Sequence, residues 1–272
     1  MLKTLMGDHA VTKQFKTRTD KFDFVEVKGS AAQFFKRVVR DLEFEVAEMA
    51  IITQLVAKAH NKPYRMLPFT VLARYQHPFL VYNAARGTVT PEGLHGKRVG
   101  VRSYSVTTGA WIRQILAEDH GVDISRIKWV TFEEAHVAEF LDPPNVERAP
   151  AGKEITAMLK AGELDAAILG AIPTDPQLKP VIPNPEEAGK RWAEKHGGAI
   201  QLNHLVVVKN SVPRTAADEV YQLLVESKHA AGDPPNLPHG IEALRRHVEM
   251  AIDCAYKQHL IPTHYTVEQV FA

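Results

Sequence analysis

The chain has one cysteine, Cys254, in 272 residues. A lone thiol excludes an intramolecular disulfide framework and a multi-cysteine zinc centre. It falls in an apolar-periodic helix pattern, the setting of a buried structural thiol. An excess of charge is also lacking, since 33 Lys and Arg face 32 Asp and Glu and leave a net +1. That balance argues against the broad basic footprint of a nucleic-acid binder. No run of 18 apolar residues occurs, so no membrane span is expected. The amino terminus lacks a long apolar core before Lys13, Lys16 and Arg18, which points to a cytoplasmic chain without a leader. The glycine-rich dinucleotide loop, the Walker sequence, the GxSxG elbow and HExxH spacing are all missing. Their absence sets aside nicotinamide, nucleotide and serine-hydrolase chemistry.

What is present is a 45% hydrophobic composition, enough for one large or two smaller cores. Short apolar runs alternate with helical patterns. Strands are expected near residues 2–6, 24–27, 44–47 and 66–73, with helices over 31–40 and 51–60. A second alternation places strands at 99–101, 127–131 and 166–169, with helices near 110–120 and 153–161. Residues 142–150 and the proline-rich 173–185 read as irregular. A buried strand at 205–208 precedes helices over 216–228 and 240–259. This order predicts an α/β fold with mainly parallel sheets. Two lobes are expected, residues 1–83 plus 203–272 and residues 84–202, with a ligand cleft between them.

The most informative stretch reads Gly96-Lys-Arg-Val-Gly-Val-Arg-Ser-Tyr-Ser-Val-Thr-Thr-Gly-Ala-Trp111. An apolar strand runs into a hydroxyl-rich turn, and a helix pattern follows. Hydroxyls and open N–H groups at a helix start suit a carboxylate or phosphate. Ser103, Tyr104, Thr107 and Thr108 are therefore candidate carboxylate contacts, although Ser and Thr also cap helices routinely. Arg102 can clamp a carboxylate as a bidentate fork. Arg74 is a further substrate candidate, and Glu133 lies at the end of a second-lobe strand.

For proton transfer the candidates are His77, His204, Glu48 and His9. His77 falls where the chain is expected to cross between lobes, and His204 opens an apolar strand on the return. Glu48 ends the third strand and suits contact with a phenol. Asp8 and His9 end the first strand, and as adjacent residues they also leave metal ligation open.

Several segments together resemble the 4,5-dihydroxyphthalate decarboxylase family. They are Phe44-Glu-Val-Ala-Glu-Met, Gly96-Lys-Arg-Val-Gly-Val, Ser105-Val-Thr-Thr-Gly-Ala-Trp-Ile-Arg and the run from Asp165. Asn203-His-Leu-Val-Val-Val and Tyr256-Lys-Gln-His-Leu-Ile-Pro also fit. The resemblance implies a two-lobed type II periplasmic-binding-protein-like fold at work in the cytoplasm. It implies a carbon–carbon lyase that converts 4,5-dihydroxyphthalate to protocatechuate in aromatic degradation, with no cofactor. Arg102, Ser103, Thr107 and Thr108 would anchor the retained carboxylate. His77 or His204 would transfer the proton, and Glu48 or His9 would contact the phenol. The partner is a small aromatic carboxylate, with no nucleic acid and no membrane; assembly as a homo-oligomer is left open. Two other readings stand beside this one: a non-catalytic solute-binding protein for an aromatic or sulfonate anion, and a naphthoate-synthase-type enzyme of the same fold.

Overall fold

The computed structural model describes residues 1–272. In chain order the strands are β1 (Leu2–Leu5), β2 (Phe22–Phe24), β3 (Val46–Ala50), β4 (Tyr64–Ala73), β5 (Leu80–Asn83), β6 (Arg98–Val101), β7 (Lys128–Thr131), β8 (Val146–Arg148), β9 (Ala166–Ile168), β10 (Leu178–Pro180) and β11 (Leu202–Lys209). The helices are α1 (Phe35–Val39), α2 (Ile51–Ala59), α3 (Thr107–His120), α4 (Ile155–Ala161), α5 (Pro185–Lys195), α6 (Arg214–Ala230), α7 (Ile241–Lys257) and α8 (Val267–Phe271). None is long and apolar enough to cross a membrane. The chain forms two compact units. The first comprises Met1–Arg74, His136–Glu139 and Ile200–Ala272, and the second Tyr75–Ala135 and Phe140–Ala199.

In the first unit a five-stranded sheet runs β2-β1-β3-β11-β4. β1 is parallel to β2 and β3, whereas β11 is antiparallel to both β3 and β4. Every residue of β3 is buried, because both faces of this central strand are covered. Helix α2 packs on β3 and β11, and α6 packs on β4. Met6, Phe15, Val46, Phe69, Val206 and Leu224 lie at the centre of this core.

Pro68 interrupts β4. Proline has no N–H to give to a ladder, and the β11–β4 register shifts here, between Leu205 opposite Thr70 and Val206 opposite Leu67. The backbone ahead of α7 fills the gap: Thr70 N–H donates to Pro238 O at 3.3 Å and Gly240 N–H donates to Pro68 O at 2.8 Å.

In the second unit a six-stranded sheet runs β10-β5-β9-β6-β7-β8. Strands β6 to β9 are mutually parallel where they pair, and β5 is antiparallel to β9 and β10. Val130, Met158, Leu159, Leu164 and Ala167 form its core.

Each sheet is thus mainly parallel with one strand reversed, β11 in the first and β5 in the second. A strand's direction depends on where the chain re-enters the sheet, and local periodicity does not carry that. The crossings fall near residues 75 and 200 instead of 83 and 203, because β5 pairs with β9 and β10 in the second sheet. Two regions read as irregular hold regular structure. β8 lies inside 142–150 and β10 inside 173–185, while α5 starts at Pro185, where a helix's first turn tolerates the missing N–H.

Candidate functional site

Three of the four residues singled out for proton transfer meet in the first unit. Glu48 is 1% exposed in the middle of β3. β11 runs antiparallel beside it with His204 opposite Ala50 and Val206 opposite Glu48. His204 and Glu48 are therefore diagonal neighbours on one face, within reach of long side chains. His204 Nδ1 lies 2.6 Å from Glu48 Oε1, and His9 Nε2 lies 3.0 Å from both carboxylate oxygens. Gly7, just beyond β1, donates its N–H to Oε2 at 2.9 Å. A Cβ at position 7 would stand 2.7 Å from Glu48 Oε2 and 2.8 Å from His9 Nε2. Only glycine lets the backbone come this close.

Burial by itself raises the Glu48 pKa. The hydrogen bonds from His204 and His9 and the attraction of both rings outweigh it and hold the carboxyl well below the usual carboxylate range. An ionised carboxylate only accepts. Nδ1 of His204 and Nε2 of His9 therefore carry the hydrogens that face Glu48. The carboxylate is sealed, while the side chains of His204 and His9 are 13% and 25% exposed. An acid holding an imidazole in one tautomer and orientation is the arrangement on which general acid–base catalysis rests.

His136, which the sequence reading passed over, also belongs here. Its Nδ1 lies 2.8 Å from Thr53 Oγ1. Phe35 stands edge-on to both imidazoles, with ring centroids 5.3 Å from His204 and 5.6 Å from His136. His136 sits on the four-residue excursion His136–Glu139. No periodic pattern marks it, so only its residue type gave a signal.

Asp8 and His9 do not converge. Asp8 forms an ion pair with Lys16, which lowers its pKa, and His9 is held by Glu48. No group of three or more His, Cys, Asp or Glu side chains is arranged to hold a metal ion. Arg74 closes the first stretch of this unit, half-buried, with its N–H donating to Gln201 O at 3.1 Å. Burial lowers its pKa.

In the second unit β6 ends at Val101 and α3 starts at Thr107. The residue preceding α3 is Val106, which has no side-chain oxygen to cap it. The side chain ahead of α3 therefore caps none of the first-turn N–H groups. Ser103, Ser105 and Thr107 are buried, Thr108 is half-buried, and the Ser103 hydroxyl has no hydrogen-bond partner. Tyr104 serves the scaffold: its ring lies 3.8 Å from the Arg113 guanidinium, and its carbonyl accepts from Arg113 Nη2 at 2.9 Å. Arg102 is partly exposed and pairs with Glu133 at 3.2 Å, so the two candidates neutralise each other. His77 belongs to this unit, whereas His9, Glu48 and His204 belong to the first. His77 is 1% exposed, and its Nδ1 lacks a partner.

No family model matches the chain. A 4,5-dihydroxyphthalate decarboxylase of Comamonas testosteroni is 28% identical over 195 residues, covering 65% of this chain and 57% of that protein. One of Pseudomonas putida is 28% identical over 190 residues, covering 65% of this chain and 74% of that protein. The match therefore spans little more than half the length of the Comamonas relative. Among solved structures, the alkanesulfonate-binding protein SsuA from Xanthomonas axonopodis pv. citri superposes with a TM-score of 0.56 at 14% identity, covering 98% of this chain and 96% of that one. The aliphatic sulphonate binding protein SsuA from Escherichia coli gives 0.53 at 10% identity, covering 99% and 90%. In sequence the chain resembles the 4,5-dihydroxyphthalate decarboxylase family, and in structure it has the periplasmic-binding-protein fold.

Proposed function

We propose that the protein is a carbon–carbon lyase that removes one carboxylate from a dihydroxylated aromatic dicarboxylate of the 4,5-dihydroxyphthalate type. The products are protocatechuate and carbon dioxide. The observation that carries the reading is the buried Glu48 carboxylate shared by two imidazoles. A receptor that only grips an anion needs donors, and an ionised carboxylate beside those donors opposes the grip. Proton transfer, by contrast, needs imidazoles held in a fixed tautomer.

The chemistry follows from the substrate. A base takes the proton of the hydroxyl para to the departing carboxylate. The phenolate pushes electron density to the ring carbon that bears this carboxylate, and an acid protonates that carbon. The carbon–carboxylate bond breaks, its electron pair restores the aromatic ring, and the phenolate regains a proton. We assign ring protonation to His204 and the phenolic proton to His9, with Glu48 orienting both. In the second unit, Ser103, Thr108 and the amides that open α3 are by themselves suited to a carboxylate. These steps use proton transfer and charge stabilisation alone.

The test is incubation with 4,5-dihydroxyphthalate, followed by chromatography and carbon dioxide measurement. Stoichiometric protocatechuate and carbon dioxide are expected, with a large loss of rate in His204→Gln. Recovery of bound, unchanged dihydroxyphthalate would make the protein a receptor instead.

A further inference from the structure

The second unit contains a cavity of about 430 Å³, within the range of small-molecule sites. It lies between the carboxyl end of α3, one face of α5 and the short turn that carries His77. Trp192, Ile182 and Ala188 give it an apolar wall. Its charges do not cancel. Asp119 is matched by Lys195, with Nζ 2.6 Å from Oδ1. Arg191 also lines the cavity and makes no ion pair, so one net positive charge faces the space. His77 also lines the cavity, with 1% of its surface exposed, and its buried Nδ1 has no hydrogen-bond partner. Such a group is costly unless something satisfies it.

We propose that this cavity binds a small organic monocarboxylate with an aromatic or apolar body. Arg191 takes the carboxylate through its two-pronged guanidinium. The His77 ring completes the polar contacts, and the body lies against Trp192 and Ile182. A single uncompensated cation selects a monoanion over a dianion. His77 suits this role as a neutral ring, because burial pushes its pKa down to about 4, the nearby Asp119 offsetting this only in part. The proposal stands independently of the decarboxylase reading, since it uses none of the residues assigned to that reaction.

The experiment is a benzoate titration of the full chain with isotope-labelled histidine, reading the His77 ring signals, which a His77→Gln spectrum assigns. A saturable shift of those signals is expected. Arg191→Gln, at an exposed position on α5, should weaken it by about tenfold, the worth of one charge-assisted contact. Benzamide, neutral and of the same shape, should give no shift. His77 signals unmoved at tens of millimolar benzoate would overturn the proposal. So would an equal response to benzamide or an unchanged affinity in Arg191→Gln. Benzoate bound at the Glu48 cluster would leave the His77 signals still and would therefore count against this site without touching the decarboxylase reading.

Discussion

The two units end their central strands in opposite chemical states. Beyond β1 and within β3, the first unit presents ionisable groups that are already fully engaged: both oxygens of Glu48 are taken by Gly7, His9 and His204. Beyond β6, the second unit presents a buried Ser103 hydroxyl with no partner and a helix start with no side-chain cap. Proton transfer requires groups oriented before the substrate arrives, since reorientation during reaction adds to the barrier. Binding an anion requires donors left unspent until the ligand satisfies them. On the proposed reading, the saturated polar groups are the ones expected to carry chemistry and the unsaturated Ser103 hydroxyl is the one expected to meet an anion.

Four measurements break or sharpen this contrast. The largest effect is expected at Glu48. Glu48→Gln turns one oxygen into an amide NH2 that faces two donors and should lower kcat/KM on 4,5-dihydroxyphthalate roughly a thousandfold while circular dichroism shows a folded chain. Activity within a fewfold of the parent would show that the saturated cluster is structural.

Acid separates the units next. The folded state holds His77 at about 4, down from an ordinary 6.5. Its contribution to stability is thus complete above pH 6.5 and is lost as pH falls through 4, because the unfolded chain takes up the proton first. The loss should reach about 3 kcal/mol over that window and should vanish in His77→Gln. Glu48 is also held low, so its contribution persists down through the ordinary carboxylate range and fails only below it. Trp111, Trp129 and Trp192 all lie in the second unit. Tryptophan emission in denaturant titrations at pH 7, 5.5 and 4 therefore follows that unit alone. A flat response across these values would contradict the burial of a neutral His77.

Gly7→Ala comes third. The added carbon has no room against Glu48 and His9, and overpacking of this kind costs about 1–3 kcal/mol. Turnover should fall by roughly a hundredfold with all charges intact, which steady-state kinetics would measure. The smallest effect is expected at Ser103. Its hydroxyl has no partner to lose, so Ser103→Ala should leave thermal stability equal or raise it by about 1 kcal/mol, and KM should rise several-fold. A clear loss of stability instead would show that the hydroxyl serves the fold.

The sequence reveals those parts of the molecule that local pattern dictates. The apolar run around Val206 marks β11, and the spacing of Trp111, Ile112 and Ile115 marks α3. Glu48 was legible as a candidate, yet a carboxylate in an apolar run reads as a strand end, whereas β3 continues through it to Ala50. That His9, Glu48 and His204 meet depends on pairing between residues up to 156 positions apart. No local rule contains this. His136 stayed hidden for the same reason, since its place comes from a brief return of the chain to the first unit. Ser103 and Thr107 were visible by type, but the roles of Tyr104 and Arg102 emerge only from Arg113 and Glu133.

The break at Pro68 has a mechanical consequence. The gap it leaves in the ladder ties the backbone ahead of α7 to the sheet and coincides with the register shift between Leu205 and Val206, close to His204. Loosening the loop before α7 would therefore release β4 and slacken the neighbouring imidazole together. The amide protons of Thr70 and Gly240 should exchange with solvent at a common rate, and that rate would time the release of β4 from beside the strand that carries His204.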